Sequence, residues 1–237
     1  MLNRFEAPQQ QPAERYKPFK MTNLLTIPFL ILFLSCSSTV QNDGVKPNVL
    51  PMFGKKQLTT EMVRINEDFV KRCDSVFKDR KEACAHHIER GWQYFYSNHL
   101  DTSMMRFNQA WLLDSSNADI YWGFGNILGK QHKFKESIPF FEKSIKLNPN
   151  NAIVWQCISI SYGNLFFETK DIKTLNKSID CLMTSLKLDS HNATTLAQLA
   201  ASYTYFTRKD SALKYLRLAD QIDPSKVYPE VRQLLKR

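Results

Sequence analysis

Apolar residues recur at intervals of three and four along most of this chain, and the runs they form come in pairs separated by short polar breaks. In Ala118–Asn151 one run fills the first half, the break is Lys130-Gln131-His132-Lys133, and a second run ends at Leu147-Asn148-Pro149-Asn150-Asn151. That spacing on both sides of a break predicts two amphipathic helices joined as a hairpin. Similar endings stand at Leu113-Asp114-Ser115-Ser116-Asn117, Leu188-Asp189-Ser190-His191-Asn192 and Ile222-Asp223-Pro224. The intervals between their leading residues are 34, 41 and 34 positions, a period that marks stacked helical hairpins. One hairpin alone leaves its apolar side in water, and only stacking covers it. The fold expected is all-α, an α-α superhelix of four hairpins over 84–117, 118–151, 152–192 and 193–226.

Before the first hairpin, Met62, Ile65, Phe69, Cys73, Val76 and Phe77 share one helical face, so 61–83 is expected to hold a lone capping helix. After the last, Val227, Val231, Leu234 and Leu235 predict a short closing helix over 227–237. The third unit carries seven extra residues around Asn164–Asp171. Seven is close to two helical turns, so each helix can lengthen by about one turn and keep its face in register. Phe166 and Phe167 in that extension either pack between the longer helices, the favoured reading, or form a contact knob.

The units resemble the tetratricopeptide repeat. Small residues fall where that family's two helices cross closely: Gly91, Ser103 and Ala110; Gly125, Ser137 and Ser144; Ser159, Ser178 and Ser185; Ala200, Ala212 and Ala219. Larger ones fill the gaps between them, Tyr94 with Phe107, Leu128 with Phe141, Tyr162 with Leu182 and Tyr203 with Leu216. Tyr121 and Trp155 stand at the family's first large aromatic, while His87 and Leu196 depart from it. Pro149 and Pro224 match the closing proline, which Ser115 and Ser190 replace. The resemblance implies a solenoid whose first helices line a concave groove that takes an extended or helical peptide. Carried over position by position, that face is Ile88, Trp92, Phe95 and Tyr96; Trp122, Asn126 and Lys130; Gln156, Ile160 and Asn164; Ala197, Ala201 and Tyr205. The partner-groove residues expected to matter are Trp92, Phe95, Tyr96, Trp122, Asn126, Lys130, Gln156, Asn164 and Tyr205, because aromatics with amides combine contact area and backbone hydrogen bonds. The family's clamp for an acidic peptide terminus needs several basic residues, and here only Lys130 is present.

Upstream of the repeats lies Leu24–Leu34, eleven largely apolar residues followed by Ser35-Cys36-Ser37-Ser38. Such a run is too short to span a bilayer and suits the core of a secretory signal. It resembles a bacterial lipoprotein signal, which implies cleavage after residue 35 and lipidation of Cys36 by an acyl chain such as palmitate. Met21 is an alternative start. Residues 36–60, with Gly44, Pro47, Pro51 and Gly54, are expected to be a flexible tether from the membrane. The chain would then be a lipid-anchored protein of the cell envelope, facing the periplasm or the cell exterior.

The net charge of +9 is spread along 237 residues without a long basic run, which reads as a solvated surface, not a nucleic-acid site. Four thiols remain beside Cys36. Export permits Cys73–Cys84 and Cys157–Cys181 as candidate disulfides, and the favoured alternative is four half-buried small apolar side chains. Gly123-Phe124-Gly125 with Gly129-Lys130 lacks the spacing, the hydroxyl residue and the preceding strand of a phosphate loop. His86 and His87 point about 100° apart on a helix and do not converge on a metal with Glu89. No nucleophile–base pair can be argued, so no enzyme activity, cofactor or metal is expected. The function expected is a non-catalytic protein-interaction scaffold, with a small-ligand or glycan sensor, or an accessory subunit of an envelope enzyme or secretion complex, as the alternatives.

Overall fold

The computed structural model describes residues 46–55 and 57–236. Ten helices follow in order: α1 Thr60–Val76, α2 Arg80–Tyr96, α3 Leu100–Leu113, α4 Ala118–Lys130, α5 Phe134–Leu147, α6 Ala152–Thr169, α7 Ile172–Leu188, α8 Ala193–Tyr205, α9 Lys209–Ile222 and α10 Pro229–Lys236. There is no strand among the described residues. Helices α2/α3, α4/α5, α6/α7 and α8/α9 are the four hairpins, each packed on the next. None of the ten is long and apolar enough to cross a membrane.

Local chemistry sets the helix ends. Asn117, Asn151 and Asn192 cap α4, α6 and α8, their side chains accepting from the amides of Asp119, Ile153 and Thr195. The repeated polar endings are thus starts as much as stops, because a carboxamide oxygen satisfies an orphan amide of the next helix. The turns inside the first, second and fourth hairpins share one geometry. Asn98, His132 and Thr207 take left-handed backbone at φ 61°, 61° and 57°. The amides that follow, of His99, Lys133 and Arg208, donate back to the carbonyls of Tyr94, Leu128 and Tyr203 at 2.9–3.0 Å. This closure uses the last free carbonyls of each inner helix.

Two boundaries differ from the sequence expectation. The first hairpin begins at Arg80, inside the 61–83 cap, because Asp79 accepts from the Glu82 amide and Glu82 accepts from the Lys78 amide. That reciprocal pair starts a helix where hydrophobic period alone gives no signal. Residues 46–55, expected as slack tether, are instead seated on α3. The Asn108 carboxamide donates to the carbonyls of Asn48 and Leu50 at 2.9 Å and accepts from the Met52 amide at 2.8 Å. Phe53 is buried edge-on against Trp111. The chain reverses there through left-handed backbone at Met52, Phe53, Gly54 and Lys55.

The third hairpin is longer in both arms, with 18 residues in α6 against 13 in α4 and 17 in α7 against 14 in α5. The first helices meet along one row, α2 with α4 and α4 with α6, whereas each second helix packs mainly on its own partner and on the next first helix. Hence α2, α4, α6 and α8 form the inner row of a curved stack. The crossings are close. A methyl group on Gly91 would stand 2.8 Å from the Phe107 ring, and one on Gly123 would stand closer still to the same ring. At the far end α10 buries Val231 and Leu235 while Arg232 pairs with Asp220, closing the stack with a polar outer face.

Candidate functional site

The inner row presents a different surface from the one expected of it. Trp92, Phe95 and Trp122 are only 4%, 6% and 8% exposed, and Asn126, Gln156 and Asn164 are buried as well. The reason is packing between neighbouring first helices: the Trp92 and Trp122 rings lie 4.5 Å apart, and Phe95 and Phe107 stand edge-on to Trp92. Aromatic rings in such tilted contact gain more from each other than from water. These residues hold first helices together and are not a wall of free rings.

What reaches solvent from the expected groove lies at the C-terminal ends of the inner helices. Tyr96 stacks on Trp92 and is half-buried. Lys130 is exposed, its Nζ 4.7 Å above the Phe95 ring while it donates to the Phe95 carbonyl at 3.3 Å. An ammonium group is favoured there twice, by the ring face and by the negative end of α2. Tyr205 is half-buried and meets Phe167 edge-on at 4.9 Å. Phe166 packs against the apolar cluster that spans α7 to α10, so the rings of the extension reach the fourth hairpin as well as their own. Tyr96, Lys130, Phe167 and Tyr205 form a lip along the turns of the hairpins.

The four thiols within the described residues are free and buried. Each faces a different group: Cys73 lies 3.9 Å from His87 Nε2, Cys84 receives Asn117 Nδ2, and Cys157 receives the Trp122 indole N–H at 3.5 Å. The candidate disulfides Cys73–Cys84 and Cys157–Cys181 are not formed. Burial pushes Cys157 up to about 11 and Cys84 and Cys181 up to about 12, so all three are neutral thiols at ordinary pH. His87 is buried between the Phe69 and His86 rings, and that burial drives it down to about 4. Among the described residues no three His, Cys, Asp or Glu side chains gather as a metal site. Cys36 and the signal core at 24–34 lie outside the described residues.

Two features escaped the pattern reading. The strap clamp at Asn108 is one. The other is burial without a hydrogen-bond partner among the described residues, at Gln198 and Ser202 and at Gln156, which the groove reading had turned toward a partner. The only sequence signal for Gln198 is a carboxamide in the apolar stretch Leu196–Ala201.

Residues 118–151 match the tetratricopeptide repeat family. This is a tetratricopeptide-repeat fold. Among solved structures, TTC0263, a thermophilic tetratricopeptide-repeat protein of Thermus thermophilus, is similar at a TM-score of 0.55 and 15% identity, covering 64% of this chain and 79% of that one. MamA is similar at 0.52 and 15% identity, covering 68% and 88%. MamA from Desulfovibrio magneticus RS-1 gives 0.50 at 14% identity, covering 69% and 96%. No curated protein matches the chain.

Proposed function

We propose that the protein is a non-catalytic scaffold that captures a polypeptide partner along the inner face of its tetratricopeptide-repeat stack. In this reading a lipid on Cys36 holds it to the extracytoplasmic side of a bacterial membrane, and the repeats stand close to that surface. The observation that carries the capture reading is the lip of Tyr96, Lys130, Phe167 and Tyr205. Tyr96, Lys130 and Tyr205 stand at matching places in their hairpins, and Phe167 of the longer third hairpin lies beside Tyr205. Partly buried tyrosines give large contact area at little entropic cost, and the buried tryptophan stack beneath keeps their positions fixed. The apolar run before Cys36 supports the anchor.

A photocrosslinking residue placed at Tyr96 and at Tyr205 in the cells of origin tests the capture. Both positions should yield the same polypeptide, and Lys143 on the outer helix α5 should not. Different products at the two inner positions would break the single-groove reading. The anchor is tested apart from it: palmitate labelling should vanish in Cys36→Ala, and equal labelling would remove the anchor.

A further inference from the structure

Helix α1 stands before α2 as α3, α5 and α7 stand before α4, α6 and α8, yet it is attached far more thinly than they are. Of its 17 residues only Cys73 is buried, and Val63, Ile65 and Val76 are exposed. Phe69 and Val70 of α1, with Phe77 just after it, lie half-buried against the apolar core of the first hairpins. That packing seats α1 on α2 and α3. A stack of nearest-neighbour interfaces opens first at its weakest junction, and this one holds a single end helix.

Beneath α1 sits a histidine ill placed to take a proton. His87 is buried, with the Phe69 ring edge-on at 5.1 Å, the Phe77 ring at 6.5 Å and Cys73 Sγ 3.9 Å from Nε2. Its Nδ1 has no hydrogen-bond partner among the described residues. An imidazolium carries a donor on each nitrogen, and here one would meet a weak sulfur acceptor and the other nothing. Each neighbouring element brings titratable or charged groups. From α1 comes the Cys73 thiol, pushed up by burial, with Asp74 raising it further and Arg72 opposing. From α2 comes His86, lowered by burial, with Glu89 pulling it up and Arg90 and Arg106 pushing it down. From α3 comes Arg106, which opposes a charge on His87 as His86 does.

We infer that α1 is an acid-released flap: protonation of His87 favours a state in which α1 has lifted from α2 and α3 while the rest of the stack stays folded. The buried ring takes its proton only near pH 4, whereas a ring in water takes it near 6.5. Above the higher value the flap is closed. As pH falls through that window the open state binds the proton and the closed state does not, so the balance moves toward opening. The flap is held at both ends. The strap before it is clamped by Asn108, and the Asp74 carboxylate accepts two hydrogen bonds from Arg80 at 2.8–2.9 Å across the bend into α2. The Arg80 guanidinium keeps Asp74 below the usual carboxylate range, so this pair stays charged while His87 titrates. From α2 onward the stack rests on Trp92, Phe107 and Trp122, none of which α1 supplies.

Cys73 is the reporter, being the buried thiol that α1 carries. The full chain is treated with a dipyridyl disulfide, which reacts with thiols in acid, and the labelled positions are read by peptide mapping. Each rate is divided by that of free cysteine at the same pH. From about pH 7.5 to about pH 4.5 the normalised rate at Cys73 should rise on the order of 50-fold, while Cys157 and Cys181 change less than about threefold. His87→Phe, which keeps a ring and cannot take a proton, should hold Cys73 slow at both pH values. A Cys73 rate that does not rise would overturn the flap. So would all three thiols rising together, the mark of global unfolding. A rise that survives in folded His87→Phe would overturn the assignment to His87. If that variant does not fold, hydrogen exchange in the unaltered protein decides. The amides of α1 must then lose protection along a one-proton curve between about pH 6.5 and about pH 4 while those of α4 to α9 keep theirs, and any other order sinks the inference.

Discussion

The first two hairpins and the last two have the same topology and are filled with different material. In α2 to α5 the crossings are glycine against phenylalanine: the Phe107 ring is wedged between Gly91 and Gly123, and Phe141 lies against Gly125. In α8 and α9 the matching small residues are Ala200, Ala212 and Ala219, and the large one is Leu216, half-buried. Along the chain the same place reads Phe107, Phe141, Leu182 and Leu216, while its neighbour reads Gly91, Gly125, Ser159 and Ala200. As the ring shrinks, the opposing residue grows. The lesson is that one topology can be filled by different side chains while the sum of volumes at each crossing stays nearly the same.

The largest test of that contrast removes the filler at both ends. Phe107→Ala, fully buried, should cost about 3–5 kcal/mol, and the partly exposed Leu216→Ala should cost roughly 1–2 kcal/mol. Equal losses in denaturant unfolding would erase the distinction between the halves. A second difference is pH. His87 is buried neutral at the joint of α1 and α2, with Phe69 and His86 against its ring and Arg106 near enough to oppose its charge. Its folded value of about 4 lies below the unfolded value near 6.5, so the unfolded chain binds the proton first as pH falls. Stability should therefore drop between roughly pH 6.5 and pH 4, by on the order of 3 kcal/mol at most, and lose nothing more from this group below that window. His87→Phe should flatten that part of a Tm-versus-pH curve, and an unchanged slope would put the acid sensitivity elsewhere. The smallest effect belongs to the last hairpin. Thr207 is a β-branched residue in left-handed backbone, where Asn98 holds the equivalent place at little strain. Thr207→Asn should gain about 0.5–1 kcal/mol in thermal unfolding.

Much of this architecture is readable from residue order. The interval of 34 positions, the asparagines at 117, 151 and 192, and the small-against-large pairs are all local signals, repeated often enough to reinforce one another. The longer third hairpin follows from seven residues that must fit two helices without turning either face. The same reading left open which rings of the inner row are buried. Trp92, Phe95 and Trp122 sit at positions that face a groove in register, but whether a ring points into water or onto the next helix depends on how far apart two helices settle. That distance is set by the Phe107 ring of α3, wedged against Gly91 of α2 and Gly123 of α4. The strap was missed for a related reason. Nothing in Pro47–Lys55 announces that Asn108, nearly 60 positions later, will take up its carbonyls.

Residue order by itself determined the all-helical hairpins, their number and their tendency to stack, because helical period and an apolar face are properties of each helix taken alone. Tertiary structure alone decided which side chains remain available to a partner. It sealed Trp92 and Trp122, seated the strap, left the cysteines unpaired and buried Gln156 and Gln198 without hydrogen-bond partners. Such outcomes turn on distances between helices far apart in sequence, and no single helix carries that information.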